Sequence, residues 1–243
     1  MVCPYHLLMS SSSFATLRRL AGAASNNGRA PVPEPEHCDL CSVALPPLHR
    51  HLLEMSNRQI ACACDPCALR FENVIGGRFK LIPRDTRALP DFRMSDMEWE
   101  GMSLPINLAF LFYSTPNEKM MALYPSPAGA TESLLPLTAW ESLVAANPIL
   151  CGMQHDVEAL LVNRVEEARE YFLAPMDICF ELVGLIRVHW RGLSGGEELW
   201  NEIAAFFARL KENSVIVHAG ASQSNESTPR SEAAVPNAGR NDA

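Results

Sequence analysis

The chain has 243 residues, 48% of them hydrophobic, which is enough to bury a core, and its formal net charge is −8. That charge argues against a nucleic-acid binder, whose phosphate affinity comes from clustered Lys and Arg, and no uninterrupted apolar run reaches the roughly 18 residues of a transmembrane helix. The opening MVCPYHLLM is too short for a signal-peptide core and lacks the basic residues that precede one, so the expected location is cytoplasmic.

In chain order, residues 1–35 read as a short amphipathic helix and a linker. Serines 10–13 precede Phe14, Leu17 and Leu20 at helical spacing, and Pro31, Pro33 and Pro35 make a stiff extended connection. Residues 36–84 then form a cysteine module. Five of the eight cysteines fall here: Cys38-x-x-Cys41, a 22-residue spacer, and Cys64-x-x-Cys67 with Cys62 beside the second pair. A Cys-x-x-Cys turn aims two sulfurs at one point, and two such turns make a tetrahedral thiolate cage. Cys38, Cys41, Cys64 and Cys67 are therefore the expected ligands of one metal ion, zinc in the first place and iron as the alternative. Two disulfides are disfavoured in a reducing compartment, and a thioredoxin-like redox pair would need only one of the motifs.

Within the module, PLHRHLLEM reads as an extended stretch and NRQIACAC as a strand running into the second cysteine turn. RFKLIPR after Gly76-Gly77 completes a hairpin, and the whole resembles a zinc ribbon. On a strand Cys62 and Cys64 would face the same side, so Cys62 is either a packed apolar cysteine or a substitute ligand for Cys64. His37, His49 and His51 could enter a mixed Cys/His site. Four thiolates already close a tetrahedron, however, which leaves these histidines to support the site or to lie at the surface; His49 and His51, two apart, are the better placed to act together. Between Glu36 and Lys80 five acidic and five basic residues cancel, which lowers a nucleic-acid reading further.

Residues 85–214 read as a mixed domain of β-hairpins and helices, giving an α+β chain overall. INLAFLFYST and KMMALYP form one hairpin, EALLVNRV and REYFLAP a second, and TAWESLVAAN is helical between them. Asp177 can open a long helix over 178–190, apolar nearly all round. A final helix after Ser194 carries Leu199, Ile203, Phe206, Phe207 and Leu210 on one stripe. From residue 215 the composition turns to Ser, Asn, Ala, Pro and Gly, the signature of a disordered tail over 215–243.

Other chemistry is thinly represented. Ser194-Gly195-Gly196-Glu197 could bind an anion with Arg187 and Arg191, although a helix cap explains it better. The small-residue loop 126–133 lacks a phosphate fingerprint, and Cys151 with His155-Asp156 does not make a nucleophilic site by adjacency alone. No catalytic residues are assigned, and the reading leans away from an enzyme.

The strings CDLCSVALPPLHRHLLEM, CACDPCALRF, YPSPAGATESLLP, EALLVNRV and CFELVGLIRVHWRGLSGG resemble an uncharacterised bacterial family, a domain of unknown function, over roughly Phe14 to Leu210. The resemblance implies an accessory or assembly role, because members of that family tend to be encoded among the genes of high-affinity nickel-iron hydrogenases. Three function classes follow: an accessory protein whose structural zinc helps it dock to a metalloenzyme or its maturation partners, a rubredoxin-like iron electron carrier for the same system, and a hydrolase or transferase using the 126–133 loop. Rubredoxin-type knuckles favour Gly after the second Cys, where this chain has Ser42 and Ala68.

Overall fold

The structure, a computed structural model, describes residues 35–71, 76–133, 140–192 and 195–219. The expected N-terminal helix, most of the Pro-rich linker, the Ser194 cap and the tail beyond residue 219 lie outside the described residues.

Strands that are apolar along nearly their whole length build a seven-stranded sheet that is covered on both faces. Its strands are β4 (Arg87–Ala88), β5 (Leu108–Ser114), β6 (Lys119–Ser126), β7 (Gly129–Ser133), β8 (Glu158–Asn163), β9 (Glu170–Pro175) and β10 (Val215–Ile216), in the order β10-β4-β9-β8-β5-β6-β7. The two expected hairpins are β5–β6 and β8–β9, and they join through the antiparallel pairing of β5 with β8. Because the side-chain period of a strand is two, Leu108, Phe110 and Phe112 point into one core with Leu161, Phe172 and Ala174, while Ala109 and Leu111 point into the other with Leu160, Val162 and Leu173.

Helices α4 (Met176–His189) and α5 (Glu197–Glu212) cover the first face. Helix α4 buries a single stripe, Met176, Cys179, Leu182, Val183 and Ile186, and leaves Val188 exposed, so it is one-sided rather than apolar all round. Helix α5 buries the expected five residues. The second face is closed by Trp99 of α2 (Asp96–Gly101), Leu143 of α3 (Trp140–Ala146) and Leu150 of the 3₁₀ turn Pro148–Gly152. The sequence announces α2 through the spacing Ser95-x-x-Glu98, and both halves of that capping box form: the Glu98 amide donates to Ser95 Oγ, and Ser95 donates its amide to the Glu98 carboxylate.

Two expectations about the chain ends of these elements are corrected. Val215 and Ile216, assigned to the tail, form β10, which pairs in parallel with β4, and His218 bonds Asp91 at 2.9 Å. Strand pairing supplies what composition alone does not disclose, namely a partner edge for a short β-branched pair. The 126–133 segment is the end of β6, a turn at 127–128 and the whole of β7: Ser126 Oγ donates to the Gly129 carbonyl at 2.9 Å and accepts from the Ala128 amide at 3.2 Å, so its hydroxyl is spent on the turn.

The cysteine region contains a second sheet, of β1 (Arg50–Glu54), β2 (Gln59–Ala63) and β3 (Phe79–Leu81), in the order β2-β1-β3. RFKLIPR thus adds to β1 and not to the strand preceding it, because β1 has a free edge after the β1–β2 hairpin closes. One face holds Leu52, Ala63 and Ala68 in a small cluster of their own. The opposite face carries Leu53 into the large core, next to Ile82. Polar links run the same way: Lys80 Nζ donates to the His155 carbonyl at 2.7 Å and meets Asp156 at 3.2 Å, while Asp156 also accepts from the Thr115 amide and hydroxyl, each at 2.7 Å. His155 stacks obliquely on Tyr113, and Asp156 is committed to Thr115 and Lys80, so these two side chains serve packing and the link between the sheets. No described helix is long and apolar enough to cross a membrane.

Candidate metal centre

The first cysteine pair sits in a loop closed by its own backbone. Cys38 donates its amide to the Val43 carbonyl at 2.8 Å, and Ser42 donates to the Cys38 carbonyl at 2.7 Å. This loop is fastened to the outer edge of β2 by a reciprocal pair: the Asp39 amide donates to the Cys62 carbonyl at 2.9 Å, and the Cys62 amide donates to the Asp39 carboxylate at 2.6 Å. The edge strand would otherwise leave those groups unpaired. From that edge the chain leaves β2 at Ala63 and turns at Cys64 into the helix α1 (Asp65–Leu69), with Pro66 in its first turn. Ala68, buried against Leu52 and Ala63, fixes the helix so that Cys67 faces Cys64.

The outcome is convergence. The sulfurs of Cys38, Cys41, Cys64 and Cys67 all lie within 4.8 Å of one another, and Cys41 and Cys64 Sγ are 3.6 Å apart. A tetrahedral ion with metal–sulfur bonds of about 2.3 Å places its sulfurs about 3.8 Å apart, so the donor set fits such an ion. All four expected ligands meet at one point, although the second pair is presented by a helix and not by a second loop. Cys62 is not among them.

The electrostatics favour a thiolate at Cys38 and hold the protons on Cys41 and Cys67. Burial opposes ionisation of Cys38, but the amides of Cys64, Leu40 and Cys41 point at its sulfur and outweigh that, holding the thiol at about 6. The Val43 amide favours the Cys41 thiolate, yet the neighbouring Cys38 and Cys64 sulfurs win and its thiol is raised. Cys67 is pushed up to about 12, first by the Cys64 thiol and then by Cys41. Four thiolates this close repel one another, so protons remain until a cation replaces them.

Ser42 adopts φ +62°, the left-handed region where a Cβ is strained. Ser42→Gly is expected to raise the stability of the metal-loaded protein by about 0.5–1 kcal/mol, measured by urea unfolding; a loss would show that the Ser42 side chain itself supports the loop.

A second cluster lies beside the first. His51 of β1 and Cys62 of β2 are directly opposite in the antiparallel register and share a face, and with His49 they bring one ligand atom each within 4.8 Å of one another. The His49 and His51 rings meet edge to face at 4.8 Å. His51 Nδ1 lies 2.6 Å from Asp177 Oδ2 on α4; that contact, and then Cys62, raise the imidazole to about 10. The expected pairing of His49 with His51 is found, whereas His37 is exposed and belongs to neither group. Nothing in the sequence pointed to Asp177 as a partner, because 126 residues separate it from His51. Buried Cys179, two residues further along the helix, has its thiol raised by burial and takes no part.

Fold and site together define an α+β protein with a four-cysteine cluster able to hold a metal ion. A family model described as a family of unknown function, DUF5947, matches residues 37–214, and the chain belongs to that family. The match takes in both clusters. No curated protein and no solved structure matches the chain.

Proposed function

We propose that the protein is a non-enzymatic, metal-binding accessory protein in which Cys38, Cys41, Cys64 and Cys67 hold one structural zinc ion. The convergence of four sulfurs within 4.8 Å carries this reading, since a closed thiolate set leaves no position for substrate. The metal would stiffen residues 36–84, in the manner of a zinc ribbon, into a neutral docking surface, and a rigid surface loses less entropy on binding. The resemblance to a family encoded among hydrogenase genes makes a nickel-iron hydrogenase, or its maturation proteins, the proposed client, in the cytoplasm.

The second reading is a rubredoxin-like iron carrier. In such centres the amide after the second knuckle is left for sulfur, but the Ala68 amide here donates to the Cys64 carbonyl at 2.9 Å, inside α1. Zinc is therefore preferred. Metal analysis with a visible spectrum decides between them: zinc in four thiolates is colourless, ferric iron absorbs strongly, and protein isolated without chelator and without any ion would remove both readings. For the client, pull-down from a native host should recover hydrogenase subunits or maturation proteins, and Cys64→Ser should impair hydrogenase assembly. Truncation after Ala219, which spares β10, should be tolerated. Normal hydrogenase activity in a strain lacking the chain would eliminate this client.

A further inference from the structure

We infer that His49, His51 and Cys62 form a second metal site, separate from the four-cysteine centre, which takes a borderline-soft divalent ion of the zinc class and leaves one coordination position open. The two groups share no residue, and their ligand atoms converge independently.

The hydrogen bonds specify which ring atoms face the ion. His49 Nδ1 lies 3.0 Å from the Pro46 carbonyl, which can only accept, so Nδ1 carries the hydrogen and Nε2 presents a bare lone pair. That Nε2 is buried and has no hydrogen-bond partner among the described residues, in a side chain only 4% exposed. A buried lone pair without a partner is rare and costly, and a cation would satisfy it. His51 Nδ1 faces the Asp177 carboxylate at 2.6 Å, which fixes the same tautomer and leaves Nε2 as the nitrogen for the ion. A carboxylate behind a ligating imidazole orients the ring and raises its basicity.

The donor set is two imidazole nitrogens and one thiolate. Such a set suits zinc and its close analogues, and three protein ligands leave the fourth position to water or an exchangeable group. Glu36 Oε2, 3.6 Å from His49 Nε2 in a side chain 61% exposed, is placed to occupy that position or to swing away from it. The backbone joins the two sites tightly, because the Cys62 amide and carbonyl are both held by Asp39 of the first knuckle.

Cobalt(II) titration of the metal-free full-length protein tests the site, with bound metal counted per chain and the sulfur-to-cobalt charge-transfer and ligand-field bands followed. The wild type should take up two equivalents, whereas His49→Gln and Cys62→Ser should each take up one and keep the four-thiolate spectrum. Saturation of the wild type at one equivalent with that spectrum, or two equivalents retained by His49→Gln, would overturn the proposal. Failure of the four-cysteine centre has a different signature: no four-thiolate spectrum in any variant. Should His49→Gln not fold, the wild-type count and Cys62→Ser decide.

Discussion

Removing the metal from the four-cysteine centre is expected to release backbone protection at residues 36–45 and 63–69 first, while β5, β6, β8 and β9 stay protected in hydrogen exchange. Structural zinc contributes on the order of 10 kcal/mol to the folding of small modules. Little else holds these two segments: the cluster under them is small, with only Leu52, Ala63 and Ala68 fully buried, and the first knuckle is tied to the sheet chiefly through Asp39. Without the ion, the sulfurs no longer bridge the two segments and that bond pair stands alone. The centre of β1 should loosen later, because Leu53 and the adjoining Ile82 are embedded in the large core. The large sheet keeps its two apolar faces whether or not the ion is present. Chelation followed by exchange and mass spectrometry reads the order directly, and even loss of protection through Leu210 would show one cooperative unit instead.

The second large effect is electrostatic. Glu158, 2% exposed at the start of β8, pairs with Arg87 of β4 at 2.7 Å across the intervening β9, and its other oxygen accepts the Gln154 amide at 3.0 Å. Glu158→Ala leaves a guanidinium, 17% exposed, without its counterion, and should cost about 3–5 kcal/mol in urea unfolding. Arg87→Met combined with Glu158→Leu should recover most of that loss, since both desolvation penalties vanish together. A double variant as unstable as the single one would mean that the Gln154 contact, and not the ion pair, is what Glu158 supplies.

Local pattern made several parts of this protein readable. Cys-x-x-Cys repeated after a spacer picks out the four cysteines that converge, because paired cysteine turns are a local geometry that short-range spacing encodes. The hairpins β5–β6 and β8–β9 follow from β-rich runs bounded by turns, and the stripe on α5 from a period of 3.6 in the apolar residues. Other features depend on contacts between distant segments, which periodicity does not record. That β3 adds to β1, that Val215–Ile216 pair with β4, and that Asp39 clamps the edge of β2 are all consequences of which edges are free after the hairpins close. Cys62 shows the division most clearly. Its spacing from Cys64 predicted a shared side, and the strand does set its face, but β2 ends at Ala63 and α1 carries Cys64 away toward the other thiols. What Cys62 meets instead is His51, opposite it in the register, backed by Asp177 from a helix more than a hundred residues later. Residue type and spacing by themselves determined the membership of the four-cysteine cluster, whereas the histidine-cysteine cluster exists only because strand pairing and helix packing bring side chains together that no local period relates.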